Sequence, residues 1–124
     1  MKIITNNPLV KEWLEDVITV EFYPECSYRE ILVKIRDMVH QGTKILTHPL
    51  AGSVKPNETP YRSVIVTKGQ KKTVDLESVQ IIENAIITFD KFVTKDIVWV
   101  DEVLYDFQTV DAIITRNAVY SAIQ

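Results

Sequence analysis

The sequence predicts an α/β fold: a single three-layer, Rossmann-like domain spanning residues 1–124, with a helical C-terminus. Three observations lead to this prediction. Short apolar runs alternate with amphipathic stretches at the close spacing of βαβ units. Residues that cap helix N-termini stand in front of the amphipathic stretches. The length of 124 residues, with 46% hydrophobic and 25% charged residues, suits one globular core.

The first part of the chain predicts two strands, each followed by a helix. The run KIIT is strand one, and Asn7 behind it is a good helix N-cap followed by proline. The segment ITVEFY alternates apolar and polar residues, which is typical of a half-buried strand two near a sheet edge. The stretch SYRE is a capping box for the next helix, and Gly42 supplies its left-handed C-terminal cap.

Two more strands and two more helices follow. KILT predicts strand three and SVIVT predicts strand four, with a proline-rich stretch between them. Asp75 caps a long amphipathic helix. IVWV fits either a strand or a helical turn, and DFQTVDAIITRNAVYSAI has a helical pattern.

The expected sheet is mixed and mostly parallel, with about four strands. Strands one to three are expected to be mutually parallel in the order 2-1-3, with strand four antiparallel beside strand three. This order places the two crossover helices on opposite faces and creates a topological switch point, where ligands bind in open α/β sheets. The NNP turn and residues 47–63 would then face each other at one edge of the sheet.

Residues 47–63, THPLAGSVKPNETPYRS, form a long loop that contains three of the five prolines. Because proline lowers the entropy lost on fixing a loop, we expect a single conformation. Lysine, arginine and the helix-start amides after Asn7 suit a carboxylate or phosphate. The alternative is a structural cover whose polar groups bond to its own backbone. On the functional interpretation, the ligand-binding residues are Asn6, Asn7, His48, Ser53, Lys55, Asn57, Glu58, Thr59 and Arg62.

Composition and missing motifs argue against several classes of protein. A formal net charge of −3 does not suit a nucleic-acid surface. No apolar run approaches the roughly 20 residues of a membrane helix, and we expect no signal peptide. The dinucleotide, Walker, HExxH and paired CxxC motifs are missing, so we expect no cofactor and no metal site. The lone Cys26 is expected to be dispensable and suits a cytoplasmic location.

Three stretches, ITNNPLV, THPLAGSVKPNETPYRSV and DLESVQIIENAI, resemble the GrdX family. Its members are small proteins encoded beside glycine reductase genes in anaerobic, amino-acid-fermenting bacteria. The resemblance implies a cytoplasmic accessory of selenium-linked glycine or betaine reduction. It supplies no catalytic residues to transfer, because the family has no established biochemical activity.

These observations leave three functional hypotheses. The leading one is a non-catalytic accessory of glycine or betaine reductase-linked fermentation that binds a small anion or a partner segment at the 47–63 loop. The alternative is a small enzyme for an amino-acid-derived carboxylic acid, with His48 as acid/base and Arg62 or Lys55 holding the carboxylate. The third is a structural subunit with an apolar surface on its C-terminal helices. Candidate partners are a small anionic ligand, glycine reductase components and a second copy of the chain, but neither nucleic acid nor membrane.

Overall fold

The structure is a computed structural model that describes residues 1–50, 59–69, 71–92 and 99–123. Its fold is α/β, with a mixed three-stranded sheet between helices. None of the helices in the described ranges is long and apolar enough to cross a bilayer. The elements in chain order are β1 (Lys2–Thr5), α1 (Pro8–Leu14), β2 (Thr19–Phe22), α2 (Tyr28–His40), β3 (Ser63–Val66), α3 (Leu76–Asp90) and α4 (Asp101–Ala122).

The sheet has the order β2-β1-β3, so the first strand is central. β2 pairs parallel to β1, whereas β3 pairs antiparallel to it and brings Ser63 opposite Thr5. The predicted position of the second strand at the sheet edge is confirmed. The antiparallel pairing places the start of β3 beside the end of β1. The polar residues described below lie at this end of the strands, which we call the sheet edge from here on.

The prediction that KILT forms strand three beside strand one is wrong. The segment predicted as strand four, Ser63–Val66, occupies that position and runs antiparallel to β1. Residues 44–47 lie along the outer side of β3, where Ile45 forms an isolated antiparallel bridge with Val66. The expected set of three mutually parallel strands is therefore wrong, and no four-stranded sheet is present in the described parts of the chain.

Side-chain hydroxyl groups explain why residues 44–47 do not form a regular strand. The Lys44 amide donates to Thr67 Oγ1 at 2.9 Å, and the Ile45 amide donates to Ser78 Oγ at 2.9 Å. These amides are satisfied outside a backbone ladder, which leaves only a local bridge to β3. The segment still runs in the direction of β1, so Thr47 ends near the same sheet edge as Thr5.

Helices cover both faces of the sheet, as predicted. α1 and α4 pack together on the face of Ile3 and Ile65. α2 and α3 pack together on the opposite face, against Ile4 and Val64. The apolar residues of β1 and β3 are almost fully buried, since each strand contributes side chains to both cores. The expected helical C-terminus is confirmed by α4.

The predicted helix caps are also confirmed. Asn7 caps α1, Ser27 and Glu30 form a complete capping box on α2, and Asp75 caps α3. Gly42, just beyond α2, has a φ of 102°, a conformation that residues with a Cβ rarely adopt. A Cβ at this position would also collide with the carbonyl oxygen of Lys71. Glycine is therefore required here for two separate reasons.

Candidate functional site

A cluster of buried polar side chains lies where β1 ends and β3 begins. Its members are largely or fully buried even though they carry hydroxyl, amide or carboxylate groups. Such groups are costly to bury unless each one finds a hydrogen-bond partner. We call this set the edge cluster, and it consists of Thr5, Asn6, Asn7, Ser63 and Asp111.

A chain of hydrogen bonds inside the edge cluster ends on the Asp111 carboxylate. Ser63 Oγ donates to Asp111 Oδ2 at 2.6 Å. Because the hydroxyl of Ser63 has one hydrogen, Thr5 Oγ1 must donate across the 2.6 Å contact to Ser63 Oγ. The Asn7 amide in turn donates to Thr5 Oγ1 at 2.9 Å. The donors thus all point toward Asp111, an arrangement in which successive bonds polarise and strengthen one another.

Asn7 connects this chain of hydrogen bonds to two helices. Its Oδ1 accepts from the Leu9 amide at 3.0 Å and so caps α1. Its Nδ2 donates to Asp111 Oδ2 and to the Gln108 carbonyl oxygen, each at 2.9 Å. One side chain therefore starts α1 and holds α4 against it. The amide group of Asn7 is fully used by the protein itself.

Asn6 joins the end of β1 to two other segments. Its Nδ2 donates to the Cys26 carbonyl at 2.9 Å and to the Pro60 carbonyl at 2.8 Å, and its Oδ1 accepts from the Arg62 amide at 2.9 Å. These bonds fix the backbone on both sides of β1. Arg62 is thereby held at the entrance to β3 in a single orientation.

The Arg62 side chain extends over the other side of the edge cluster and is 92% buried, with an exposed fraction of 8%. Its Nη2 donates to the His48 carbonyl oxygen at 3.2 Å, and it also bonds to the hydroxyl of Tyr28. Burial raises the pKa of Tyr28, whereas the nearby Arg62 charge lowers it and the Asp111 charge raises it. Tyr28 therefore lies within the field of both buried charges and stays neutral near pH 7.

A small cavity of about 100 Å³ lies between β3 and α4, next to the edge cluster. Its lining comprises one arginine, three residues with hydroxyl groups and three apolar residues. The residues that line it are Thr47, Arg62, Ser63, Ile65, Ile114, Thr115 and Ala118. A wider and more open depression of about 380 Å³ lies elsewhere, at the start of α3. There the Asp75 carboxylate already accepts from the amide and hydroxyl of Ser78, so we place the candidate site at the smaller cavity.

The predicted site residues have different positions in the structure. The structure places Asn6, Asn7 and Arg62 close together where β1 ends and β3 begins. The His48 side chain is exposed and its Nδ1 accepts from the Leu50 amide, while Thr59 Oγ1 accepts from the Tyr61 amide. The remaining predicted positions lie outside the described residues, namely Ser53, Lys55, Asn57 and Glu58.

Sequence reasoning missed the acceptor at the centre of the edge cluster. Asp111 stands in the stretch TVDAII, a lone acid among apolar and hydroxyl residues on a helix. On α4 it shares a buried face with Ala112, Thr115 and Val119. An acidic residue on the apolar face of a predicted helix is the sequence signal that could have identified it as buried. Among the described residues, no group of His, Cys, Asp and Glu side chains is arranged to hold a metal ion.

The fold and the edge cluster define a small α/β protein with helices on both sheet faces and a small cavity beside a buried polar cluster. The GrdX-like protein family profile matches residues 2–120, so the chain belongs to that family. Neither a curated protein nor a solved structure matches the chain.

Proposed function

We propose that this protein is a non-catalytic accessory of glycine reductase-linked metabolism that binds a small carboxylate in the cavity between β3 and α4. One observation carries the binding part of the proposal: the buried Arg62 is among the residues that line a cavity of about 100 Å³. Arginine favours planar anions such as carboxylates, and a buried charge interacts more strongly than one in water. Membership of the GrdX-like family supports the link to glycine reductase.

The hydroxyl groups of the cavity limit the chemistry of the ligand. Ser63 and Thr115 already donate to Asp111, so toward a ligand they can only accept. Thr47 Oγ1 accepts from the Ile65 amide, which leaves its hydrogen to donate. The site therefore offers the nearby charge of Arg62, one hydroxyl donor and hydroxyl acceptors.

The size and the apolar wall limit the ligand further. The volume corresponds to about three water molecules at roughly 30 Å³ each, which suits a molecule of only a few heavy atoms. Ile65, Ile114 and Ala118 make much of the lining apolar. A short-chain carboxylate matches this combination, and acetate and glycine are the simplest probes.

The hypothesis of an enzyme with His48 as acid/base receives no support from the described residues. The imidazole is exposed, its Nδ1 is engaged with the Leu50 amide, and it does not line the cavity. Its main-chain carbonyl, in contrast, accepts from Arg62. His48 thus positions the guanidinium through its backbone, which suits a binding role for this edge.

The binding proposal can be tested by calorimetric titration and thermal melts with acetate, glycine and phosphate. We expect the carboxylates to bind and to raise the melting temperature more than phosphate does. Ala118→Leu fills the cavity without touching Arg62, so it should abolish binding while the chain stays folded. Ala122→Leu, at an exposed position of the same helix, is the matched control and should bind as the wild type does.

Arg62→Lys tests the guanidinium itself. It keeps the charge but loses the planar fork, so carboxylate binding should weaken by about ten-fold. Arg29→Lys, at an exposed arginine on α2, should leave binding unchanged. The proposal fails if none of the probes binds, or if Ala118→Leu binds as tightly as the wild type.

A further inference from the structure

The outer face of α4 carries a regular stripe of exposed residues. Its members recur at alternating intervals of three and four residues, the heptad spacing of helices that pack side by side. The four apolar members are between 37% and 43% exposed, and the two polar members are also exposed. We call this set the outer stripe, and it consists of Val103, Asp106, Val110, Ile113, Asn117 and Tyr120.

The outer stripe is not the side of α4 that packs on the domain. The buried residues of this helix include Ala112, Thr115 and Val119, which face the sheet and α1. A surface helix normally presents polar residues on its other side. In the described parts of the chain, most of the exposed large apolar side chains lie between residues 100 and 123. This helix therefore has a second apolar face, which none of the described parts of the chain covers.

We propose that a second copy of this chain covers the outer stripe, with the two α4 helices packed antiparallel about a twofold axis near Asp111 and Ala112. This inference goes beyond the proposed function and does not depend on it. In this register, Val103 of one copy lies against Tyr120 of the other. By the same symmetry, Val110 lies against Ile113.

The two polar members of the outer stripe identify the partner. Any stripe with heptad spacing can pack antiparallel against a copy of itself, so the spacing alone does not identify the partner. In the antiparallel register, however, Asp106 of one copy falls opposite Asn117 of the other, and both apolar pairs remain apolar. The Asn117 amide can donate to the Asp106 carboxylate. A polar pair inside an apolar stripe is a known way to fix register and orientation.

Charge favours the antiparallel orientation over the parallel one. A parallel pair would place Asp106 directly against Asp106, which is unfavourable. The first turns of α4 also carry Asp101 and Glu102, whereas its later part carries Arg116. Antiparallel packing brings the acidic end of one helix toward the Arg116 end of the other. It also places the two helix dipoles in opposite directions, which is favourable.

The contact area indicates a reversible dimer. A helix of 22 residues is about 33 Å long, and with a width of about 10 Å its footprint is roughly 330 Å² per copy. The two copies together would bury about 660 Å², well below the roughly 1,200 Å² of stable specific interfaces, a size at which association is weak and transient. We therefore expect a dissociation constant in the micromolar range and a dimer fraction that rises with concentration.

Sedimentation velocity of the full chain, from low to several hundred micromolar, tests the proposal. The wild type should shift reversibly from monomer to dimer. Ile113→Lys places charge in the centre of the stripe and should give a folded monomer at every concentration. Ile87→Lys, at an exposed isoleucine of α3, is the matched control and should dimerise as the wild type does. A monomeric wild type, or an Ile113→Lys variant that still dimerises, would overturn the inference.

The register has its own test. Asn117→Asp sets two carboxylates against each other and should weaken the dimer by about ten-fold or more. The double exchange Asp106→Asn with Asn117→Asp restores one carboxylate facing one amide, so it should recover most of the wild-type affinity. If the double variant is as weak as the single one, the two positions do not face each other and the antiparallel register is wrong.

Discussion

Replacing Asn7 by aspartate should destabilise the domain through a single atom. The wild-type Oδ1 caps α1 at the Leu9 amide, and the Nδ2 donates to Asp111 and to the Gln108 carbonyl. In Asn7→Asp the capping oxygen remains, but an oxygen replaces the Nδ2 donor. Two carboxylates, or a carboxylate and a carbonyl, would then meet at the distance of the former hydrogen bonds.

The expected magnitude follows from the contacts. Loss of a hydrogen bond to the buried Asp111 charge costs about 1.5–3 kcal/mol. Loss of a helix cap costs about 1 kcal/mol, so Asn7→Ala should lose roughly 2.5–4 kcal/mol of unfolding free energy. Asn7→Asp keeps the cap but gains carboxylate repulsion, and each unit by which the pKa of the introduced carboxyl group is raised adds about 1.4 kcal/mol. At pH 7 the aspartate variant should therefore be at least as unstable as the alanine variant.

The two variants should differ in their dependence on pH. In Asn7→Asp, repulsion raises the pKa of the introduced carboxyl group above its value in the unfolded chain. Stability associated with a raised pKa is present at low pH and is lost as pH rises through the folded-state value. The deficit of Asn7→Asp relative to the wild type should thus shrink between about pH 7 and about pH 5, and by more than that of Asn7→Ala, which introduces no second carboxylate.

Urea denaturation followed by circular dichroism at both pH values measures these differences. The double exchange Asn7→Asp with Asp111→Asn restores one amide and one carboxylate, so it should recover part of the lost stability. The reasoning is refuted if Asn7→Asp is as stable as the wild type at pH 7. It is also refuted if the deficit is independent of pH and the double exchange gives no recovery.

Three further predictions concern other parts of the domain. Gly42→Ala should lower the free energy of unfolding by about 2 kcal/mol or more, while Gly69→Ala, with open space around it, should change it by less than about 0.5 kcal/mol; equal melting temperatures would contradict this. Burial raises the pKa of the Cys26 thiol, so a thiol reagent should label the native chain far more slowly than the unfolded chain, and rapid native labelling would contradict this. Cys26→Ser should leave carboxylate binding and dimerisation unchanged. The hydrogen bond from Arg29 lowers the pKa of Asp90, so this ion pair stabilises the fold above the ordinary carboxyl pKa and ceases to do so as pH falls through the lowered one. The melting temperature of the wild type should therefore exceed that of Asp90→Asn at pH 7, and a difference of equal size in acid would contradict this.

The parts of the fold that depend on neighbouring residues were predictable from the sequence. Asn7, Ser27 and Asp75 each accept from a backbone amide within three residues. A short stretch of sequence therefore contains both the capping side chain and the amide that it caps. The order of strands was not predictable in the same way. KILT and SVIVT are both short and rich in β-branched or apolar residues, and nothing local shows which one lies beside KIIT. That choice depends on long-range packing and on the hydroxyls that take up the amides of residues 44 and 45.

The candidate site was predictable only in part, for a similar reason. Asn6, Asn7 and Arg62 were placed at one sheet edge because strand ends meet there. Arg62 was expected to extend toward a ligand, whereas its guanidinium also bonds within the domain. Asp111 was missed because its partners Ser63 and Asn7 are 48 and 104 positions away in the chain. Its position among apolar residues marks it as buried but does not name its donors.

The distance in sequence between Asn7 and Asp111 has a consequence for synthesis on the ribosome. Asn7 leaves the exit tunnel long before α4 has been made, and Thr5 must likewise wait for Ser63, 58 positions later. Until then the polar groups of the β1 end remain hydrated, and the apolar face of α1 has no α4 to pack against. The nascent chain thus spends most of its elongation with an incomplete first core. That core is completed only once α4 emerges, so chaperone binding has the most to protect before that stage.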